Sequence, residues 1–331
     1  MNSYVADVMA ATSSVSFFGT DAPAARKKYL LYAKHVHPDI EGGSNEAFAT
    51  LQNLYGGHVK PSTPSHANVV STRLYEYVLG DTTRENEIFK TVSVAFQTGP
   101  DYADRVIADM LIPLAARDND LMGAMSKSLK KLGEVPDSYK AFFPTMIERF
   151  LMPQPGGRRA VVVLESMPGF VSIEDIMKAY PDGINGRDVA WMFKRMLVAI
   201  GNAADVGISH GACVPSSFMI LPDQHGLILS DWQYSVALGE PLATVPSAYK
   251  SMYPEAALKK GATTPHLDIV MAAKTASALL ENDSPRPLVS FFKGCMGGAL
   301  PSAAALLAEF DDVLLSVYGK PAFHRFAMPK K

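Results

Sequence analysis

Two sets of residues in this chain have the types to do chemistry, and the first also has the spacing. The first is His37-Pro38-Asp39, which stands between a basic stretch holding Arg26, Lys27, Lys28 and Lys34 and a run of apolar residues at helical spacing. Pro38 restricts the backbone, so Asp39 offers a rigidly placed carboxylate, and the basic face can steer toward an acidic partner. The bland alternative is a loop hydrogen bond between His37 and Asp39 beside ordinary solvated lysines. A metal reading of His35 and His37 needs a third ligand that the sequence does not supply. The second set, Lys90, Glu165, His210, Ser217 and Asp231, is scattered along the chain, and spacing alone does not join its members. Here the bland reading makes Lys90 a strand lysine whose stem covers apolar surface, Asp231 a turn cap and His210 a packed loop histidine. Cys213 and Cys295 are the only cysteines and lie far apart. That argues for a reducing compartment, and against a disulfide framework or a cysteine-rich zinc site.

These residues need elements to hold them. The 331-residue chain carries 31 Lys plus Arg against 33 Asp plus Glu, a net charge of -2, so neither a polybasic nucleic-acid binder nor an acidic tail is the main theme. Hydrophobic residues make up 48%, too many for a disordered chain. The opening Met1-Asn2-Ser3-Tyr4 has no basic flank leading into an apolar core, so a cytoplasmic protein with no membrane segment is expected. Tyr318 to Lys331 mixes aromatic and basic residues but is too short for a nucleic-acid surface.

Gly56-Gly57 and Lys60-Pro61-Ser62-Thr63-Pro64-Ser65 break the chain. The expected organisation is a helical module over residues 1–57, a linker over 58–68, a mixed lobe over 69–166 and a helical lobe over 167–331. In the first module, the spacing predicts helices from Ala22 to Val36, with Pro23 in the first turn, and from Asn45 to Tyr55, with Asn45 as cap. Beyond the linker, Arg73 to Leu79 and Glu87 to Val92 read as antiparallel strands. Residues 102–132 read as helix in two pieces broken near Pro113 and Asn119, and Arg159 to Leu164 reads as a buried strand. Helices are then expected at Ile173–Ala179, Gly186–Ala204, Leu267–Leu280, Leu288–Lys293 and Ser302–Tyr318, with short strands near Ser217–Leu221 and Leu227–Ser230. The fold class is α+β. Met122, Met125, Met192, Met196 and Met271 sit at helical positions suited to core or partner surface.

With its basic helix, His37-Pro38-Asp39 loop and following helix, the stretch from about 15 to 57 resembles the J-domain of DnaJ-type co-chaperones. The resemblance implies that His37, Pro38, Asp39, Arg26, Lys27, Lys28 and Lys34 engage a seventy-kilodalton-class chaperone ATPase and stimulate its ATP hydrolysis. The chain departs from that family at its start, where the first helix is reduced to a stretch near Tyr4 to Ala11 or Phe17-Phe18.

Residues of about 68 to 326 resemble the bilobal protein-kinase fold. The anchors occur in order: Lys90 as the phosphate-pairing lysine, Leu164-Glu165-Ser166-Met167 as the hinge, and His210 to Ser217 as the catalytic loop. Asp231-Trp232-Gln233 stands at the metal-binding element, Tyr253-Pro254-Glu255 at the end of the activation segment, and Asp268 at the head of a central helix. The resemblance further implies that Asp268 binds backbone amides around the catalytic-loop turn. Phosphoryl transfer needs a carboxylate to orient the acceptor, metal ligands from two loops, a Lys–Glu pair and a glycine-rich cover. Ala212 stands where the carboxylate belongs, Val214 where a lysine belongs and Ser217 where the metal-binding Asn belongs. No glycine-rich motif precedes Lys90, and Asn119 to Lys127 offers no pairing Glu.

The expectation is therefore a non-catalytic co-chaperone or adaptor. Its head would recruit the chaperone ATPase and its pseudokinase body would hold an unknown protein client. No cofactor is required, while Lys90, Glu165 and Asp231 leave binding of ATP, with magnesium at Asp231, as an open alternative. The competing readings are an atypical ATP-dependent protein kinase and a nucleotide-sensing switch.

Overall fold

The computed structural model describes residues 3–11, 17–18, 22–37, 40, 42–59, 69–98, 104–259, 266–297, 300–320, 322–323 and 325–329. The chain divides into two compact units, Met1–Val69 and Val70–Lys331, and together they make an α+β protein.

In the first unit, helices α1 (Ser3–Met9), α2 (Ala22–Val36) and α3 (Asn45–Val59) enclose a small core. Val8, Ala25, Val36, Ala47 and Leu51 are fully buried, with Phe17, Tyr29, Tyr32 and Tyr55 packed around them. Tyr29 stacks on Tyr55 with ring centroids 4.2 Å apart, and Tyr32 meets Phe17 edge-on at 5.1 Å. Those aromatic contacts supply much of the burial available to so short a module. The cap of α3 is Ser44 rather than Asn45, since the Ser44 hydroxyl accepts from the Ala47 amide at 3.3 Å. The expected linker falls mostly outside the described residues, since Lys60 to Ala67 and Asn68 are not among them.

The second unit opens on a six-stranded sheet of order β1-β2-β3-β4-β6-β5. Its strands are β1 (Val69–Ser71), β2 (Glu76–Glu85), β3 (Phe89–Thr98), β4 (Asp104–Pro113), β5 (Met146–Gln154) and β6 (Gly157–Glu165). The reading of residues 102–132 as two helical pieces is corrected here: Asp104–Pro113 is strand, and only α4 (Asn119–Leu132) is helix. β4 pairs antiparallel with β3 on one side and β6 on the other, so both its edges are hydrogen-bonded. Ala108, Met110 and Ile112 enter one apolar cluster and Leu111 the other. A strand buried on both faces loses the polar–apolar alternation that marks a half-exposed strand, which is why its sequence imitates a helix.

Met122, Met125, Leu129 and Leu132 recur at three- and four-residue steps along α4 and pack that helix into the main core. The rest of the unit is mostly helical: α5 (Asp137–Lys140), α6 (Ile173–Ala179), α7 (Gly186–Asp205), α8 (Glu255–Leu258), α9 (Leu267–Leu279), α10 (Arg286–Met296) and α11 (Ala303–Tyr318). Short strands interrupt them: β7 (Val171–Ser172), β8 (Ile208–Ser209), β9 (Phe218–Leu221), β10 (Gly226–Leu229) and β11 (Val236–Ala237). Met192, Met196 and Met271 are fully buried, so these methionines fill core rather than partner surface. No helix among the described residues is long and apolar enough to cross a membrane.

Candidate functional site

A cleft of about 320 Å3 opens between the sheet and the helical part of the second unit. Thr83 and Arg84 of β2, Phe89 and Thr91 of β3, and Asp109 and Leu111 of β4 wall it from the sheet side. Met125 and Leu129 of α4 close the back, while Ser166, Met167, Phe170, Met219, Ser230, Asp231 and Trp232 complete it. β2 carries register irregularities between Leu79 and Thr82 and again between Thr82 and Arg84. Such bulges re-aim side chains, and here the consecutive residues Thr83 and Arg84 both reach the cleft.

Arg84 crosses the cleft to Asp231, its Nη2 donating to Oδ2 at 2.8 Å. Asp231 is 8% exposed and sits in the left-handed region at φ 64°, a conformation that non-glycine residues adopt rarely. The Asp231 carboxylate pushes the Arg84 guanidinium above its usual range. Asp109 is half-buried and has no hydrogen bond or ion pair among the described residues; burial pushes its carboxyl up.

Of the expected nucleotide residues, the cleft includes Asp231 but neither Lys90 nor Glu165. Lys90 lies on β3 between Phe89 and Thr91, which face the cleft, so strand alternation turns it to the opposite face, with Val92 and Val94. Glu165 ends β6 as an exposed residue whose amide donates to the Thr145 carbonyl at 2.9 Å. The strand that leads into α4 is β4, and its cleft-facing side chains are the anion Asp109 and the apolar Leu111. A magnesium triphosphate does not fit this set. The only cation lining the cleft among the described residues, Arg84, is already paired, and Asp109 would repel phosphate.

The loop from Ser209 to Ser217 is held by its own interior. Asp268, 7% exposed at the head of α9, accepts from the Ser209 hydroxyl at 2.9 Å and the His210 amide at 2.7 Å through Oδ2, and from the Gly211 amide at 2.8 Å through Oδ1. This is the amide-binding role its position implied. The fully buried His210 ring lies 2.6 Å from the Ser230 carbonyl at Nε2, and its Nδ1 accepts from the Ala212 amide at 3.2 Å. Those partners require a proton on Nε2 and a lone pair on Nδ1. Desolvation lowers the His210 pKa, so the ring is neutral and has no free nitrogen to act as a base. The Ser217 Oγ lies 2.6 and 2.8 Å from the Ala212 and Val214 carbonyl oxygens, which share its one proton, and Ala212 is fully buried.

Because its folded pKa lies below 6.5, His210 contributes stability that is complete above that pH and declines as pH falls toward the folded value. Imidazole 15N resonances should show His210 as the neutral Nε2–H form at pH 6. A charged ring at that pH would contradict the assignment. Cys213 and Cys295 are buried thiols, Cys295 with its pKa pushed up to about 11 by burial, so both stay protonated.

Comparison with protein-family models and with curated proteins gives no match to this chain. The residues themselves carry the reading. Among the described residues, no three His, Cys, Asp or Glu side chains gather as a metal-binding set.

In the first unit, α2 exposes Lys27 and Lys34. Lys28 is turned inward: its ammonium donates to the Phe17 carbonyl at 2.6 Å and lies 4.2 Å from the centre of the Phe17 ring. His37 is half-buried, edge-on to Phe48 at 4.8 Å, and its carbonyl accepts from the Ile40 amide at 3.1 Å. Pro38, Asp39 and the Arg26 side chain lie outside the described residues. Sequence reasoning missed Arg84 and Asp109. Asp109 carried a signal, a lone acid inside the apolar run Val106-Ile107-Ala108-Asp109-Met110-Leu111, whereas nothing near Arg84 marks it.

Proposed function

We propose that the chain is a non-catalytic adaptor whose first unit engages a seventy-kilodalton-class chaperone ATPase and whose second unit is a kinase-like scaffold for a client. The observation that carries the proposal is the first unit's layout. Three helices pack around one core, α2 exposes Lys27 and Lys34, and His37 follows directly where α2 ends. An exposed basic helix face suits an acidic docking partner, because charge complementarity speeds and orients encounter. Lys28 contributes to this module by tying Phe17 to α2 rather than by facing a partner.

In the second unit, the sheet, the single helix α4 and the helical remainder support a kinase-like arrangement. Phosphoryl transfer depends on positioning and charge neutralisation. His210 is fully buried and fully bonded, and the cleft's Asp231 is already held by Arg84. That supports a scaffold without turnover. Joining a chaperone-binding head to a client-binding body raises the effective concentration of one bound party near the other.

The test is a coupled ATPase assay with the full chain and a purified chaperone of this class. Wild type should stimulate hydrolysis several-fold and His37→Gln should abolish the stimulation while leaving the far-UV spectrum unchanged. Equal stimulation by the two proteins would remove the co-chaperone reading.

A further inference from the structure

We infer that the cleft of the second unit is a binding site for a small planar organic cation, with Asp109 receiving its ammonium group and the aromatic and methionine walls holding its body. The inference concerns this cleft alone and stands whether or not the first unit stimulates a chaperone.

The charges decide the sign of the ligand. Two carboxylates, Asp109 and Asp231, and one guanidinium, Arg84, line the cavity. The Arg84–Asp231 contact at 2.8 Å neutralises one of the carboxylates and leaves Asp109 without a counter-charge among the described residues. A neighbouring hollow of about 240 Å3 shares Arg84 and Asp231 and is edged by Glu85, Glu87 and Glu174. The local field is therefore negative on both sides of the ion pair, and a concave low-dielectric site concentrates such a field. A polyphosphate would meet that field and would have to draw Arg84 away from Asp231. A cation meets an open carboxylate.

The walls decide its shape. Phe170 supplies accessible ring surface and Met167 and Met219 supply polarizable, adaptable contacts, backed by the buried Phe89, Trp232 and Met125. Ring faces also attract cations. A volume of about 320 Å3 falls at the lower end of small-molecule sites, which pair apolar walls with a few oriented polar groups. Asp109 has the position of such a group: β4 is the interior strand that precedes α4, and its pairing with β3 and β6 holds the residue in place. The elevated carboxyl pKa fits a desolvated anion awaiting a donor.

The test uses the full chain and three indoles that differ in charge: tryptamine, the neutral alcohol tryptophol and the anion indole-3-acetate, with magnesium ATP as the fourth ligand. Isothermal titration should show saturable tryptamine binding about tenfold or more tighter than tryptophol, the discrimination expected of one charge-assisted hydrogen bond. Indole-3-acetate should bind weakest, and magnesium ATP should neither bind saturably nor displace tryptamine. Asp109→Asn should bring tryptamine down to the affinity of tryptophol. Equal affinities for amine and alcohol, no saturable binding of tryptamine at millimolar concentration, or displacement of tryptamine by magnesium ATP would each overturn the inference. The wild-type charge series decides the matter even if the variant fails to fold.

Discussion

Asp268→Ala should cost the second unit about 3–5 kcal/mol, a large share of the stability of an ordinary domain. One carboxylate satisfies three donors: the Ser209 hydroxyl and the His210 amide at Oδ2, and the Gly211 amide at Oδ1. All four residues are buried, so water cannot replace the lost acceptor without opening the loop. Gly211 adds to the dependence. Its φ is 76°, and a Cβ there would lie 2.6 Å from the Tyr234 carbonyl oxygen, so the backbone holds a path that its partners must maintain. Asp268→Asn should fall between: the amide can turn its oxygen to Ser209 and His210 but then sets an N–H against the Gly211 N–H, at about 1–3 kcal/mol. Urea denaturation followed by tryptophan fluorescence measures the series cleanly, because the chain's two tryptophans, Trp191 and Trp232, both belong to the second unit. An alanine variant within 1 kcal/mol of wild type would show that the loop is held by something other than Asp268.

The same loop shows what the residues reveal on their own and what they do not. His210-Gly211 followed by Pro215-Ser216-Ser217 marks a turn by composition, whereas the pairing of Asp268 with its amides was expected only because the resemblance implied it. α2 was legible for a similar reason: its apolar positions keep a helical period beside a basic face, and the helix spans Ala22–Val36 as the spacing predicts. β4 was not, because apolar residues on both its faces remove the alternation on which strand reading depends. That misreading hid Asp109, which lies on β4. The Arg84–Asp231 pair joins residues 147 positions apart and depends on two register irregularities in β2. Neither the separation nor a bulge has a composition signature strong enough to read from one sequence. The first helix of the small module was ambiguous because Ser3–Met9 is only 7 residues long, and its two buried valines become meaningful only once α2 and α3 are in place.

Gly43→Ala should disrupt the first unit where its proposed function resides. A Cβ on Gly43 would sit 1.9 Å from the His37 carbonyl oxygen, 2.8 Å from its carbon and 3.0 Å from the Ile40 carbonyl oxygen. These are backbone atoms, so no rotamer change relieves the clash and the chain between α2 and α3 must move. The movement breaks a short ladder in which the Ile40 amide donates to His37 at 3.1 Å, the Gly43 amide to Ile40 at 2.9 Å and the Ser44 amide to Val36 at 3.1 Å. It also pulls on Ser44, whose hydroxyl caps α3 through the Ala47 amide. Strain of about 2–3 kcal/mol or more is expected, a large share of the stability of a module this small. Amide exchange should then lose protection at Ile40, Gly43 and Ser44 and across the first turn of α3. If His37 acts as proposed, the variant should also lose stimulation of the chaperone ATPase as fully as His37→Gln, although His37 itself is unchanged. Full protection at those amides would show that the loop tolerates a side chain at Gly43. Lost protection with intact stimulation would separate the loop's geometry from its function and remove the ground for a rigidly presented His37.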